Sequence, residues 1–303
     1  MKSVYTSIIM AMCLLCLDQS SEAKGLYLGE ASVRDTVPES KRSYFEASMN
    51  YQSDNVYLGR KDTAALPYFI PMLAYYHRSG LYFSASAAYL HTSVEQRIDV
   101  VTLEGGYDLT AGNYGGEFSF SKYFYNSQST SVTSDITASL NFQNEYDLGF
   151  IKPTFTATLD LGTNTDFQGA FGLQHTFELL RGKLEITPSI VANGSTLNFY
   201  NNYYKTKHFK KRKGQKIVTG TVDVTGTVAD ASSFKILDYE PGMSVKCLAG
   251  RWTFEFSPTY AIPVHPAALT IHSVYSTGTV TNKTQVEKLT NNFFWTLGVN
   301  YKL

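Results

Sequence analysis

Long stretches of this chain alternate between apolar and polar residues with period two, the pattern of a strand with one apolar and one wet face. At the C-terminus Phe293, Trp295, Leu297, Val299, Tyr301 and Leu303 fall on one face, and Thr296, Gly298, Asn300 and Lys302 on the other. Trp252, Phe254, Phe256, Pro258, Tyr260 and Ile262 oppose Thr253, Glu255, Ser257 and Thr259 in the same way. So do Ile136, Ala138, Leu140 and Phe142 against Thr137, Ser139, Asn141 and Gln143. The pattern predicts strands at 44–57, 68–78, 81–90, 97–108, 114–125, 132–146, 149–160, 167–179, 184–198, 233–248, 251–262 and 291–303. Twelve is an even number, as single-chain outer-membrane barrels have, and most of the strands are long enough to cross an apolar band of about 25 Å at a tilt.

The connections add independent information. Ser79-Gly80, 109–113, Asp147-Leu148, 180–183 and Ala249-Gly250 are short and fall on every even-numbered link. The odd-numbered links are longer, two of them much longer, at 199–232 and 263–290. Short turns on one side and long loops on the other are the build of an outer-membrane barrel. The expected fold is therefore all-β: a transmembrane antiparallel up-and-down β-barrel of about 12 strands over 44–303. Both termini would lie in the periplasm, and the loops 199–232 and 263–290 outside the cell. The stretch 217–228 is itself strand-like. It reads as an extra hairpin above the membrane, or as two more crossings that would make fourteen strands. Residues 24–43 read as a periplasmic extension.

Composition supports this frame. Hydrophobic residues make up 43%, charged residues 17% and aromatics 14%, with 22 Tyr and 19 Phe. Soluble domains usually carry nearer a quarter charged residues, and Tyr is favoured where a ring is apolar at one end and wet at the other. No run of 18 apolar residues is present, which excludes a spanning helix. Lys2 followed by the apolar stretch Ile8 to Leu17 reads as an export signal, with small residues at Ser21 and Ala23 marking cleavage after residue 23. Cys13 and Cys16 would leave with it. Cys247 then remains alone, which excludes a thiolate metal cluster. The net charge of zero gives a nucleic-acid partner no global electrostatic support.

Several stretches resemble an uncharacterised family of bacterial outer-membrane β-barrel proteins. They are Val56 to Asp62 (VYLGRKD), Pro67 to His77 (PYFIPMLAYYH) with Ser79-Gly80, Arg97-Ile98-Asp99, Pro258 to Val264 (PTYAIPV) and Phe293-Phe294-Trp295. The resemblance covers most of the mature chain and implies an outer-membrane location with no established activity. The last strand also resembles the segment read by the outer-membrane assembly machinery, which usually ends in Phe or Trp. Here the final residue is Leu303.

The polar faces gather charge. Glu46, Glu104, Glu117, Glu145, Glu178, Glu185 and Glu255 are expected to point inward near the periplasmic ends of their strands, with Lys152, Lys246 and Lys302 at similar depth. A ring of carboxylates with fewer ammoniums would favour cations in a pore. The other reading is a packed plug of ion pairs, because an enclosed charge needs a partner. The loop holding Lys205, Lys207, His208, Lys210, Lys211, Arg212, Lys213 and Lys216 would meet lipopolysaccharide phosphates or another anionic polymer, or is simply a solvated loop tip. His91 and Ser93 share a face at the outer end of a strand, a weak pattern for ester hydrolysis. Asp160, Asn164 and Asp166 are too few oxygen ligands for Ca²⁺ and read as a turn. No nucleotide, zinc-hydrolase or nucleophile-elbow motif is present, so no cofactor or metal is expected. Two function classes remain: a narrow, cation-preferring pore or transporter, and a non-conducting surface barrel whose loops bind an external partner.

Overall fold

The computed structural model describes residues 42–61, 65–129, 131–199, 222–275 and 280–303. Twelve antiparallel strands form its barrel: β1 (Tyr44–Gln52), β2 (Tyr68–Tyr76), β3 (Leu81–His91), β4 (Gln96–Ala111), β5 (Tyr114–Tyr125), β6 (Ile136–Tyr146), β7 (Lys152–Gly162), β8 (Thr165–Gln174, continued by Phe177–Leu179), β9 (Leu184–Ser195), β10 (Lys235–Ala249), β11 (Trp252–Pro263) and β12 (Asn292–Lys302). Each pairs with its chain neighbours, and β1 closes the ring on β12 with Glu46 opposite Lys302 and Gln52 opposite Thr296. Closure leaves no unpaired edge, so every strand hydrogen-bonds on both sides, as a low-dielectric surrounding demands.

The alternation sets which side chains point out. Phe45, Leu73, Phe83, Leu103, Phe118, Phe120, Phe142, Phe155, Phe171, Ile190, Phe293 and Leu297 are all exposed on the outer surface. The opposite face of the same strands turns Glu46, Ser48, Asn50, Thr102, Ser119, Ser121, Gln143, Thr154, Thr253 and Asn300 into a buried interior. An exposed apolar surface wrapped around a polar interior is stable only where hydrocarbon is the solvent.

The end carrying Tyr44 and Lys302 is closed by tight turns, each with one glycine at positive φ: Gly80, Gly112, Gly149, Gly182 and Gly250. Gly80 shows why. At φ +96 it lies so close to the next hairpin that a Cβ would sit 2.3 Å from the Asp108 carbonyl oxygen. The opposite end carries the longer loops, with two exceptions to the expected regularity. Residues 92–95 and 163–164 are short turns as well. Between β9 and β12, Val222–Val228 pairs with Ala268–Tyr275, which in turn pairs with Val280–Val286. This three-stranded sheet stands apart from the barrel sheet. Val222–Val228, the described part of the strand-like stretch 217–228, therefore adds no crossing, and the barrel has twelve strands.

Two further expectations change. The first strand was expected to run to residue 57, yet it ends at Gln52. Ser53 and Asp54 turn the chain: the Ser53 amide donates to the Trp295 carbonyl (2.9 Å), its hydroxyl accepts from the Trp295 amide (2.9 Å), and the Asp54 carboxylate accepts from the Leu66 amide (2.9 Å). Ile136 was assigned to the outer face, but a bulge between Ile136 and Ala138 turns it inward, where it is buried. The expected signal 1–23, nearly all of 24–43 and the basic loop residues lie outside the described residues.

Candidate functional site: the barrel lumen

The chain between β1 and β2 does not run over the surface. Val56-Tyr57 and Arg60-Lys61 pair as a small hairpin across Leu58-Gly59, both at positive φ. A left-handed leucine costs about 1–2 kcal/mol, and burial offsets it. Leu58 packs with Leu197, Phe199, Val228, Ala231, Leu237, Ala267 and Leu269 into an apolar cluster. Gly59 touches the wall so closely that a Cβ would lie 2.8 Å from Asp238 Cβ and 2.9 Å from Pro263 Cβ, and its carbonyl accepts from the Asn292 amide at 2.8 Å. The Arg60 guanidinium, 4% exposed, donates to the carbonyls of Leu58 (2.9 Å), Leu237 (3.4 Å), Val264 (3.4 Å) and His265 (3.1 Å), and pairs with Glu287 at 3.2 Å. Tyr57 donates to Asp160 at 3.2 Å, accepts from Gln168 at 2.6 Å and packs edge-on against Phe199. Burial, with Asp160 beside it, holds the Tyr57 phenol well above its usual range, so it stays a donor. The hairpin is seated inside the loop end of the barrel.

At the other end charges of alternating sign run along the strands from β6 round to β1. Glu46 of β1 faces Lys302 of β12, and on the strands beyond it Glu255, Lys246 and Glu185 stand opposite one another in register. Gln174 of β8 follows, then Lys152 of β7, whose ammonium lies 3.8 Å from Glu145 of β6. Glu46, Glu145, Lys152, Glu185 and Glu255 are all buried. Lys302 also sits 3.9 Å above the Tyr44 ring, and Glu255 accepts from Ser244 (2.7 Å) and Ser257 (3.1 Å). These positions form an interlocked belt rather than an acidic ring. Glu178 is exposed at the rim beyond it, opposite Glu185.

Glu104 and Glu117 belong to a different set. Glu104 lies midway along β4, not near the strand end expected. The Tyr82 hydroxyl reaches both, donating to Glu104 at 3.0 Å and to Glu117. They open on a central cavity of about 390 Å³. Its wall carries five carboxylates, Asp99, Glu104, Glu117, Asp160 and Glu240, and among its described lining residues no lysine, arginine or histidine. Serines, threonines, amides and the rings of Tyr57, Tyr68, Tyr123 and Tyr125 make up most of the rest. Asp99 is held by Tyr68 (2.6 Å), Ser129 (2.9 Å) and Arg97 (2.9 Å). Asp160 accepts from Tyr57, Gln168 and Ser139, all neutral. Asp160 was placed at the end of the strand expected over 149–160 and grouped with Asn164 and Asp166 as a turn. It is an inward strand residue, cross-strand partner of Asp166. Asp166 accepts from Thr196 (2.6 Å) and from the amides of Asn198 and Phe199 (both 2.7 Å). Glu240, missed in the sequence, sits at an inward position that its strand parity would have shown, whereas Asp99 turns inward at a bulge between Ile98 and Val100, out of step with Thr102 and Glu104.

No hydrogen bond joins His91 to Ser93. The imidazole packs instead against Phe69 and Tyr89, at 6.2 and 6.3 Å between ring centroids, while Ser93 lies in the exposed turn.

A closed antiparallel barrel, apolar outside and polar and charged within, defines a membrane-spanning β-barrel of the outer-membrane type. No family model and no curated protein sequence matches the chain. Among solved structures it is similar to the KdgM porin, with a TM-score of 0.44 and 8% identity over 85% of this chain and 99% of that one. It is also similar to Omp33 of Acinetobacter baumannii, with a TM-score of 0.31 and 8% identity over 87% and 100% of the two chains. A porin refined at 1.8 Å gives 0.30 and 12% over 86% and 99%. The likeness is one of barrel architecture alone.

Proposed function

We propose that this chain is a narrow, cation-preferring pore of the bacterial outer membrane. The single observation behind this reading is the cavity wall, with five carboxylates and no basic residue among its described lining. In a low-dielectric wall, fixed charge of one sign raises the local concentration of its counter-ion and lowers that of its co-ion. The hairpin stopper and the charged belt hold the path narrow and closed at rest, so conduction requires the hairpin to lift. In this reading the tight-turn end faces the periplasm and loops 199–232 and 263–290 face outward. The outer face meets membrane lipid and lipopolysaccharide, the basic residues Lys205 to Lys216 meet phosphates, and the last strand is read by the assembly machinery.

One observation favours a second reading. The apolar cluster around Leu58 and the sheet of 222–228, 268–275 and 280–286 roof the mouth, which suits a non-conducting barrel that presents a surface to an external partner. Single-channel recording on the refolded chain separates the two. The pore reading expects discrete cation-carrying openings, and silence at every voltage would remove it.

A further inference from the structure

Across four neighbouring strands the cavity wall carries a row of polar side chains in direct register. Glu104 of β4 stands opposite Ser121 of β5, Ser121 opposite Ser139 of β6, and Ser139 opposite Asp160 of β7. All four line the cavity. Ser121 donates to Glu104 at 2.6 Å, and Ser139 donates to Asp160. Each serine thus holds the carboxylate at its own end of the row. Three strand spacings of about 4.8 Å put the two end residues roughly 14 Å apart along the wall, and the inward curve brings their side chains closer. Tyr123, Tyr125 and Tyr57 stand on the same lining, and tyrosine faces attract ammonium groups.

A second observation points to a polar ligand. Thr102, 3% exposed, lines the cavity one inward position from Glu104, and its hydroxyl has no hydrogen-bond partner. Gln174, 6% exposed and also on the lining, leaves its side-chain nitrogen without a partner. Buried polar atoms in this state carry a desolvation cost that a bound polar ligand relieves.

We propose that the lumen binds a linear aliphatic polyamine, with one terminal ammonium at Glu104, the other at Asp160, and the chain between them along the serine row. A single hard metal ion is disfavoured, because it gathers oxygens within about 2.5 Å of one point, whereas these carboxylates stand apart. A volume of about 390 Å³ falls within the range of small-molecule sites. The proposal rests on the cation-preferring reading of the lumen and names the cation class that the wall fits.

The test uses spermidine and the refolded full chain in detergent, by titration calorimetry, with a parallel recording in planar bilayers. The expected result is saturable binding, weakened at least about tenfold (the factor that ~1.4 kcal/mol represents) by Asp160→Asn and by Glu104→Gln. His91→Ala, on the outer surface, should leave it unchanged. Because the two carboxylates sit on different strands, a fold defect in one variant leaves the other as an independent readout. Absence of saturable binding, or binding that survives both substitutions, overturns the proposal. The recording separates the two claims. Cation-selective current without spermidine binding removes the site and keeps the pore, while binding to a silent barrel removes the pore and keeps the site.

Discussion

The Arg60 guanidinium and the Glu287 carboxylate meet at 3.2 Å with side chains only 3% and 11% exposed. Arg60 belongs to the stopper hairpin. Glu287 directly follows the outer sheet, and its carboxylate also accepts from the Ala267 amide at 3.0 Å. One ion pair therefore ties the hairpin inside the mouth to the sheet above it. Removing one partner of a buried pair typically costs about 3–5 kcal/mol, because the remaining charge is stranded. Arg60→Ala should unseat the hairpin while the barrel stays folded, and raise open probability in single-channel recordings. Unchanged gating would show that the hairpin is not the stopper.

Gly59 offers a steric route to the same state. Its absent side chain is what lets the hairpin tip lie against Asp238 and Pro263, and its φ of +73 disfavours any branched residue. Gly59→Val should lift the tip and enlarge the mean conductance. Asp238→Gly, which removes the Cβ nearest the tip, should partly restore closure in the double variant.

The outer face and the lumen should respond oppositely to charge. Leu103 is 47% exposed on the outside of β4, midway along the strand. Leu103→Arg should cost up to about 2–4 kcal/mol, the figure for arginine at the midplane of a barrel's lipid face. Its neighbour Thr102 points into the acidic cavity, and Thr102→Lys should cost less. Urea titration of the chain folded in lipid vesicles measures both. Equal costs would contradict the assignment of faces.

Most of the barrel was legible in the sequence because its pattern is local. A strand such as β12 states its two faces outright, from Phe293 to Lys302, and hydrocarbon outside enforces that alternation at every step. What escaped was non-local or one residue wide. Val56-Tyr57 continues the alternation of β1, so nothing local says that Ser53 and Asp54 turn it into the lumen. The contacts that hold it there come from Asp160, Gln168 and Asn292, more than a hundred residues away. The pairing of 222–228 with 268–275 spans two loops and has no turn signature. The bulge that turns Ile136 inward breaks parity, and the glycine that makes room for it, Gly162, stands on the partner strand. The inward glutamates were found from parity, but parity alone could not divide them. That division depends on which strand stands next to which, and it places Glu46, Glu145, Glu185 and Glu255 among lysines while Glu104 and Glu117 face the cavity.

Acidity of the lumen should govern its behaviour with pH. Acid that protonates these carboxylates neutralises the wall. Cation preference should fall with it, at a rate set by the cavity acids rather than by the belt, where each charge already faces an opposite one. The Glu104→Gln and Asp160→Asn double variant should show reduced preference at neutral pH and a flatter pH profile.

The most direct measurement is the reversal potential of the open channel under a tenfold KCl gradient across a planar bilayer. An acidic lumen predicts a potential displaced toward the potassium equilibrium value, and displaced less in the double variant. A potential at zero, or one shifted toward the chloride value, would contradict a cation-preferring pore.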